Sequence, residues 1–222
     1  IVVKQIPTNA DIDIPIVIDK SASTTPKQST LGAALPAFVS ALDSFPTGRP
    51  NLHIGVVNTT VDIGVSGYSV GSTGCPHPDT NDNGRLQSPA SCGVTGHYIS
   101  DIADDSGGRT VNYGSDLASA LGCQASVGDS GCGFEAPMLA IQRALDGTNS
   151  DNAGFLRPDA DLAIVVLTDE DDCSATDPSI FELSGPEVGG PDDFRCQPMY
   201  AYDCDQPITA DLGSATYTNC TV

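Results

Sequence analysis

Two aliphatic runs that each lead into an aspartate constrain the fold of this chain more than any other feature. The first reads IDIPIVI over residues 12–18 and is followed by Asp19, and the second reads DLAIVVLTDEDDC over residues 161–173 and contains Asp169. Short runs rich in β-branched residues are typical of buried strands in a parallel sheet. Ligands of such sheets bind at the carboxyl ends of the strands, so we expect Asp19 and Asp169 to lie near one site.

The helix predicted after the first run has clear start signals. Thr25 and Gln28 match a capping box, and Pro26 occupies the first helical position. Its apolar face is formed by residues at helical spacing: Leu31, Leu35, Phe38, Val39 and Leu42. Pro36 predicts a kink in this helix, and Pro15 is expected where the first strand only begins to pair.

The rest of the chain continues this alternation of strands and helices. LHIGVV, residues 52–57, predicts a second strand, which VDIGV, residues 61–65, either continues or joins as a hairpin partner. A short helix is expected over residues 114–121 with Ser115 as its cap. A further helix is marked by Phe134, Met138, Ile141 and Leu145, with Pro137 in its first turn. The pattern predicts an α/β fold with a Rossmann-like, doubly wound, mainly parallel sheet, flanking helices and disulfide-rich loop insertions.

One domain is expected over residues 1–222, with its recognisable core at 11–172. Residues 66–112 form a Gly-, Ser- and Asp-rich insertion that is too long for an ordinary connection. Residues 173–222 lose periodicity and are rich in Cys. Because the chain starts at Ile1 without a Met or a signal peptide, we expect a mature fragment of a longer protein that carries other domains.

The charge of the chain excludes some partners. It has 29 acidic and 9 basic residues, a net charge of −20. A field of that sign repels nucleic acid and anionic membranes and favours cations. No apolar run is long enough to span a bilayer, so we expect neither a nucleic-acid partner nor a direct membrane span.

The eight Cys residues indicate disulfide bonds. No CxxC pair occurs, which argues against a zinc site or a redox motif. Disulfides form in oxidising compartments, so we expect an extracellular or cell-surface protein, either secreted or associated with an outer membrane. Pairing between neighbours predicts four bonds: Cys75–Cys92, Cys123–Cys132, Cys173–Cys196 and Cys204–Cys220.

The turn after the first strand has the chemistry of a cation site. Asp19, Ser21 and Ser23 form D-x-S-x-S, which places one carboxylate and two hydroxyls in a tight turn. Hard cations prefer such oxygen ligands, and Mg²⁺ takes six of them. Asp169 can add a carboxylate directly or through a water, and a third loop should supply another oxygen. The alternative is that Asp and Ser simply cap the turn and the helix start.

On these residues the sequence resembles a von Willebrand factor type A domain. Three segments carry the resemblance: IVIDKSAS (16–23), GFEAPMLAIQRAL (133–145) and LAIVVLTDED (162–171). The segment LTDEDDCS resembles the branch of this family found in surface or secreted proteins of myxobacteria and related Gram-negative bacteria. The resemblance implies a metal-ion-dependent adhesion site, in which Asp19, Ser21, Ser23 and Asp169 hold a divalent cation. The last coordination position would take an acidic side chain of a partner protein.

The loop before the helix marked by Met138 and Ile141 is the third loop of the expected site. It departs from the family pattern, which places a Thr there. Here the nearest residue is Glu135, with Ser130 as the alternative. A Glu ligand would make the site more anionic, tightening cation binding and weakening capture of an acidic ligand. The competing interpretation of Glu135 is a first-turn acid that is favoured by the helix dipole.

Two further motifs are weaker. DTNDNG places Asp79, Asn81 and Asn83 like the first half of a calcium loop, but position twelve is Ala90, where a Glu is required. A turn is therefore favoured over a second ion. GYSVG matches G-x-S-x-G around Ser69, but a nucleophile elbow needs a following helix, and STGCPHPD cannot form one.

These observations favour a binding module over an enzyme. The expected function is capture of a carboxylate on a protein ligand through a bound divalent cation, Mg²⁺ first, with Mn²⁺ or Ca²⁺ as alternatives. One alternative is a hydrolase, either metal-dependent or based on Ser69. Another is a surface domain in which the ion is purely structural. Nothing in the sequence orders a general base beside the cation site, so we expect no enzymatic activity.

Overall fold

A computed structural model describes residues 11–62, 82–132, 135–170 and 172–174. Its strands are β1 (Asp11–Ile18), β2 (Asn51–Asn58), β3 (Ile99–Ala103), β4 (Arg109–Val111), β5 (Asp161–Leu162) and β6 (Val165–Leu167). Its α-helices are α1 (Thr25–Asp43), α2 (Leu117–Gln124) and α3 (Pro137–Leu145). Short 3-10 helices lie at Ala22–Thr24, Ala90–Cys92 and Ser150–Asn152.

The strands form one mixed sheet in the order β4-β3-β2-β1-β5, with β6 also paired to β1. β1 runs parallel to β2 along its whole length, from Asp11 opposite Asn51 to Ile18 opposite Asn58. β5 and β6 pair with the other side of β1, also in parallel. β3 and β4 continue the sheet beyond β2 as antiparallel strands. The predicted α/β class is confirmed, and the doubly wound arrangement stays a prediction.

The helices cover opposite faces of the sheet because side chains alternate along β1 and β2. Ile16 and Ile18 of β1 belong to the core formed with α1 and α2. Val17 of β1 and Val57 of β2 belong to the core formed with α3. Burial on both faces explains why these two strands are almost continuously aliphatic. It also fixes the carboxyl ends of β1 and β2 side by side.

Pro15 lies in the middle of β1, so the expectation that it marks the start of pairing is wrong. The Asp13 carbonyl accepts a hydrogen bond from Ala163 at 3.0 Å, and the Asp19 amide donates to Leu167 at 2.9 Å. Alternate residues of a strand point their backbone groups to the same side, so the missing N–H of Pro15 faces this neighbour. The sheet accommodates it there, because pairing to β1 is interrupted between Leu162 and Val165.

Within the described ranges the three predicted helices are found as α1, α2 and α3, with corrections at two starts. The capping box of α1 does not form: Thr24 is the capping residue, and Gln28 reaches back to the Asp19 carbonyl at 3.0 Å. The cap of α2 is Asp116 rather than Ser115, because the Asp116 carboxylate accepts the Ser119 amide at 2.9 Å. α3 carries Pro137 in its first turn, as predicted.

Two strand predictions also need correction. The described part of the 66–112 insertion is not only loop, because β3 and β4 extend the sheet there. The expected strand over 161–173 is shorter: it is divided into β5 and β6 and ends at Leu167. Its apolar residues are partly solvent-exposed, with Leu162 at 46% and Ile164 at 49%. Residues 61–62 lie in no strand, and 63–65 lie outside the described residues.

The disulfide bond between Cys92 and Cys123 overturns two predicted pairings. It joins the 3-10 helix at Ala90–Cys92 to α2, so neither Cys75–Cys92 nor Cys123–Cys132 forms. Cys92 and Cys123 are 31 positions apart, so spacing along the chain misled the prediction. Cys132 and Cys173 are also disulfide-bonded. The predictions Cys173–Cys196 and Cys204–Cys220 include residues outside the described ranges.

None of the described helices combines the length and the apolar character needed to cross a membrane.

Candidate metal centre at the strand ends

Asp19 is fixed by hydrogen bonds from two different loops. It directly follows β1 and its side chain is fully buried. One carboxylate oxygen, Oδ1, accepts the Ser21 amide at 2.7 Å, and the other, Oδ2, accepts the Thr168 hydroxyl at 2.9 Å. The two bonds set the orientation of the carboxylate, and each oxygen keeps lone-pair capacity for a further partner.

The four residues predicted to hold a cation lie together. The hydroxyls of Ser21 and Ser23 are 3.0 Å apart, and the Ser23 hydroxyl donates to Asp169 Oδ1 at 3.2 Å. Asp19 joins this group through the Ser21 amide. One buried carboxylate, two hydroxyls and one partly exposed carboxylate are therefore linked by successive hydrogen bonds at the ends of β1 and β6.

Thr24 and Gln28 shape the turn that carries the two serines, residues 19–24, which is called the first loop below. The described residues between α2 and α3 are called the third loop. The Thr24 hydroxyl donates to the carbonyls of Asp19 at 2.9 Å and Ser21 at 2.7 Å. The Gln28 side chain donates to the Asp19 carbonyl at 3.0 Å and to the Gly128 carbonyl at 2.7 Å. The sequence analysis assigned Gln28 to a capping box and did not consider Thr24. Thr24 closes the turn after β1 on itself, and Gln28 links that turn to the loop at Gly128.

Glu135 is a buried carboxyl group with an unusual environment. Its side chain is fully buried, and Oε2 accepts a hydrogen bond from the Thr59 hydroxyl. Among the described residues Oε1 has no hydrogen-bond partner. The pKa of Glu135 is raised to about 8, mainly by burial and also by the negative charge of Asp19, while the Thr59 hydrogen bond opposes the change. Such a carboxyl group requires a proton or a cation.

The two threonines after β2 were missed by the sequence analysis. Thr59 and Thr60 directly follow the strand and are buried. The Thr59 hydroxyl accepts the Lys20 amide at 3.2 Å, and the Thr60 hydroxyl accepts the Cys132 amide at 3.3 Å. The available signal was their position at a strand end beside Asp19, the same argument that singled out the two aspartates.

A buried ion pair between Lys20 and Asp82 anchors the turn that follows β1. Lys20 Nζ lies 3.0 Å from Asp82 Oδ1, and both side chains are almost fully buried. Asn58 Nδ2 donates to the same oxygen at 3.0 Å. The Lys20 side chain therefore pairs with Asp82, which also contacts Asn58 at the end of β2, and it is buried away from solvent. Removing one partner of such a pair leaves an uncompensated buried charge.

Lys27 neutralises Asp169 on the exposed side of the site. Its ammonium pairs with Asp169 Oδ2 and lies 3.3 Å from the Ser23 carbonyl. The hydrogen bond from Lys27 lowers the pKa of Asp169, and the bond from Ser23 acts in the same direction. Asp169 is therefore ionised wherever the domain is folded near neutral pH.

The other predicted site residues are placed as follows. Ser130 is exposed in the third loop. The Asn83 side-chain oxygen accepts hydrogen bonds from the Asp62 amide at 2.5 Å and from Arg143 at 2.6 Å. Both lone pairs of that oxygen are used, so Asn83 stabilises a turn, and its proposed part in a second ion site is not supported. Three predicted residues lie outside the described ranges: Ser69, Asp79 and Asn81.

Within the ranges described, no three side chains of His, Cys, Asp or Glu gather into one metal-binding group. The candidate centre differs from such clusters because hydroxyl oxygens of Ser21 and Ser23 complete its donor set. Comparison of the chain with protein-family models, with curated proteins and with solved structures finds no match. Its chemistry is therefore inferred from its own geometry.

Proposed function

We propose that the ends of β1 and β6 bind one divalent cation, Mg²⁺ first, through Asp19, Ser21, Ser23 and Asp169. The observation that carries this proposal is the convergence of these oxygen donors from two loops, with Ser23 and Asp169 separated by 146 positions in the sequence. Carboxylate and hydroxyl oxygens are the ligands that hard cations prefer. A cation would also offset the like charges that the fold brings together here.

Glu135 supports the same proposal independently. A fully buried carboxyl oxygen without a partner among the described residues is costly to the fold. The negative charge of Asp19 is close enough to affect Glu135, so an ion held by Asp19 would also stabilise the Glu135 carboxylate. We assign the third-loop contribution to Glu135 rather than to Ser130, which is exposed.

We further propose that the domain is a von Willebrand factor type A-like binding module at the cell surface or in secretion. The bound ion would capture a carboxylate of a protein ligand. Because a divalent ion inverts the local potential, it allows an acidic ligand to approach a chain whose net charge is −20. Distant surface charge is screened beyond about 8–10 Å at physiological ionic strength. Disulfide bonding supports an oxidising compartment.

Calorimetric titration with Mg²⁺, Mn²⁺ and Ca²⁺ tests the ion site. We expect one ion per chain for the wild type and at least tenfold weaker binding for Asp19→Asn, because the substitution removes the buried charge and keeps the size. Asp105→Asn, an exposed acid in the β3–β4 turn, serves as the control and should bind like the wild type. Equal binding by Asp19→Asn and the wild type would refute the site, provided circular dichroism shows both folded.

Binding of a ligand requires an open coordination position. Water-proton relaxation by bound Mn²⁺ measures whether the ion keeps exchangeable waters, and added acetate competes for their positions. We expect high relaxivity that falls on addition of acetate. Low relaxivity without a response to acetate would show a closed, structural ion and would refute the capture of carboxylates.

A further inference from the structure

We propose that Lys27 is a built-in counter-cation of this site, which the divalent ion displaces and which then forms the second contact to a ligand carboxylate. The inference rests on the proposed function and identifies how the site recognises its ligand. It makes Lys27 a determinant of both ion affinity and ligand class. The ligand it predicts presents a carboxylate with two free oxygens, one for the ion and one for the ammonium.

The geometry places Lys27 in direct competition with a cation. Asp169 Oδ1 accepts the Ser23 hydroxyl at 3.2 Å, and Asp169 Oδ2 pairs with Lys27 Nζ. The ammonium also donates a hydrogen bond to the Ser23 carbonyl at 3.3 Å. A cation that binds Asp169 and Ser23 must therefore share or replace the contacts of this ammonium.

The Lys27 pair is suited to displacement. Its side chains are 40% and 25% exposed, so water screens their attraction and an exposed pair of this kind is weak. A lysine ammonium is a point charge on a flexible four-carbon stem, and it can swing aside without moving the first turn of α1. Lys27 also repels an incoming ion, so its presence lowers the ion affinity.

Lys27 is the accessible cation at this edge of the described structure. The other described basic side chains are engaged elsewhere: Lys20 with Asp82, Arg49 and Arg109 with Asp101, Arg85 with Asp151, Arg143 with Asn83 and Arg157 with Asp13. Lys20 is buried, whereas Lys27 lies partly in solvent beside Ser23. A ligand carboxylate that reaches the ion can therefore meet Lys27 as well.

The test compares Lys27→Met with Arg85→Met. Arg85 is a matched control, because its pair with Asp151 has an N–O distance of 2.9 Å and similar exposure, 41% and 32%. We expect Lys27→Met to bind Mn²⁺ three- to tenfold more tightly in calorimetry. The same variant, once loaded with Mn²⁺, should bind acetate at least threefold more weakly in the relaxation assay. Arg85→Met should match the wild type in both measurements.

The outcomes separate this inference from the function on which it rests. If neither the wild type nor Lys27→Met binds Mn²⁺, the proposed ion site fails and this inference fails with it. If both bind Mn²⁺ and acetate equally well, the ion site stands and the role of Lys27 is overturned. A parallel gain in Arg85→Met would also overturn it, because the effect would then come from net charge alone.

Discussion

At the scale of single residues, the carboxyl groups around the proposed ion site differ in their burial and in their hydrogen-bond partners. Asp19, directly after β1, and Glu135, in the loop before α3, are fully buried, whereas Asp169 is partly exposed and paired with Lys27. Asp19 is oriented by Ser21 and Thr168, and Glu135 is held by Thr59 through only one of its oxygens. The negative charge of Asp19 raises the pKa of Glu135, and this repulsion supports the proposed cation site.

The pH dependence of stability tests the environment of Glu135. Its pKa is raised from 4.5 to about 8, so between these values the folded state binds more protons than the unfolded state. The free energy of unfolding therefore falls as pH rises through this window, and in the presence of chelator the loss is on the order of 4 kcal/mol. Glu135→Gln should abolish this part of the slope.

Urea unfolding in chelator, followed from below pH 5 to above pH 8, measures the effect. Asp105→Asn is a control, because Asp105 is exposed in the β3–β4 turn and should keep the wild-type slope. Parallel pH profiles for Glu135→Gln and the wild type would show that Glu135 titrates normally and that the site lacks the buried charge assigned to it.

At the scale of elements, the site depends on close packing between the first and third loops. The Gly131 amide donates to the Lys20 carbonyl at 2.9 Å. A Cβ added at Gly131 would lie 2.6 Å from the Thr60 hydroxyl oxygen and 3.0 Å from Lys20 Cβ. There is no room for a side chain here, so the glycine lets the third loop reach the ends of β1 and β2.

Gly131→Ala should therefore destabilise the domain by about 1–3 kcal/mol and weaken ion binding. Gly32→Ala is the matched control, since Gly32 lies inside α1 with open space around it, and this change should stabilise by about 0.5–1 kcal/mol. Chemical denaturation of both variants measures the two shifts. A neutral or stabilising Gly131→Ala would contradict the packing of the loops described here.

The sequence predicted the elements with long apolar patterns and missed those defined by their partners. β1, β2, α1 and α3 have long apolar patterns, and all were expected close to their actual bounds. β3 and β4 are short and polar, and their conformation comes from pairing next to β2 rather than from local preference. The strand predicted over 161–173 was too long, because an apolar composition does not reveal where pairing with β1 stops.

The candidate site was predictable to the same degree and for the same reason. Asp19 and Asp169 follow strongly patterned strands, and a parallel sheet brings such strand ends together. The contributions of Thr59, Thr24 and Lys27 were not predicted, because they depend on side-chain contacts between loops. Disulfide pairing failed for a similar reason: spacing in the sequence does not report which loops meet in space.

At the scale of the whole molecule, the described part of this strongly acidic chain pairs its acids differently at the two ends of the parallel strands. Ion pairs at the opposite ends of the strands, such as Arg157 with Asp13 and Arg109 with Asp101, neutralise buried acids there. The carboxyl ends of β1 and β6 instead combine buried Asp19 with a weakly paired Asp169, and Asp19 raises the pKa of buried Glu135 in the loop before α3. This asymmetry distinguishes the proposed ion site from an acidic surface in general.

The most direct test of the central claim is the position of Mn²⁺ in crystals of the domain, located by anomalous scattering. If the proposed ion site is correct, we expect one strong anomalous peak within about 2–2.6 Å of the Ser21 and Ser23 hydroxyl oxygens. This is the usual range of bonds between oxygen and divalent cations. Asp19 and Asp169 should lie beside this peak, directly or through one water. A fully loaded crystal without a peak there, or with its strong peak elsewhere, would contradict the account.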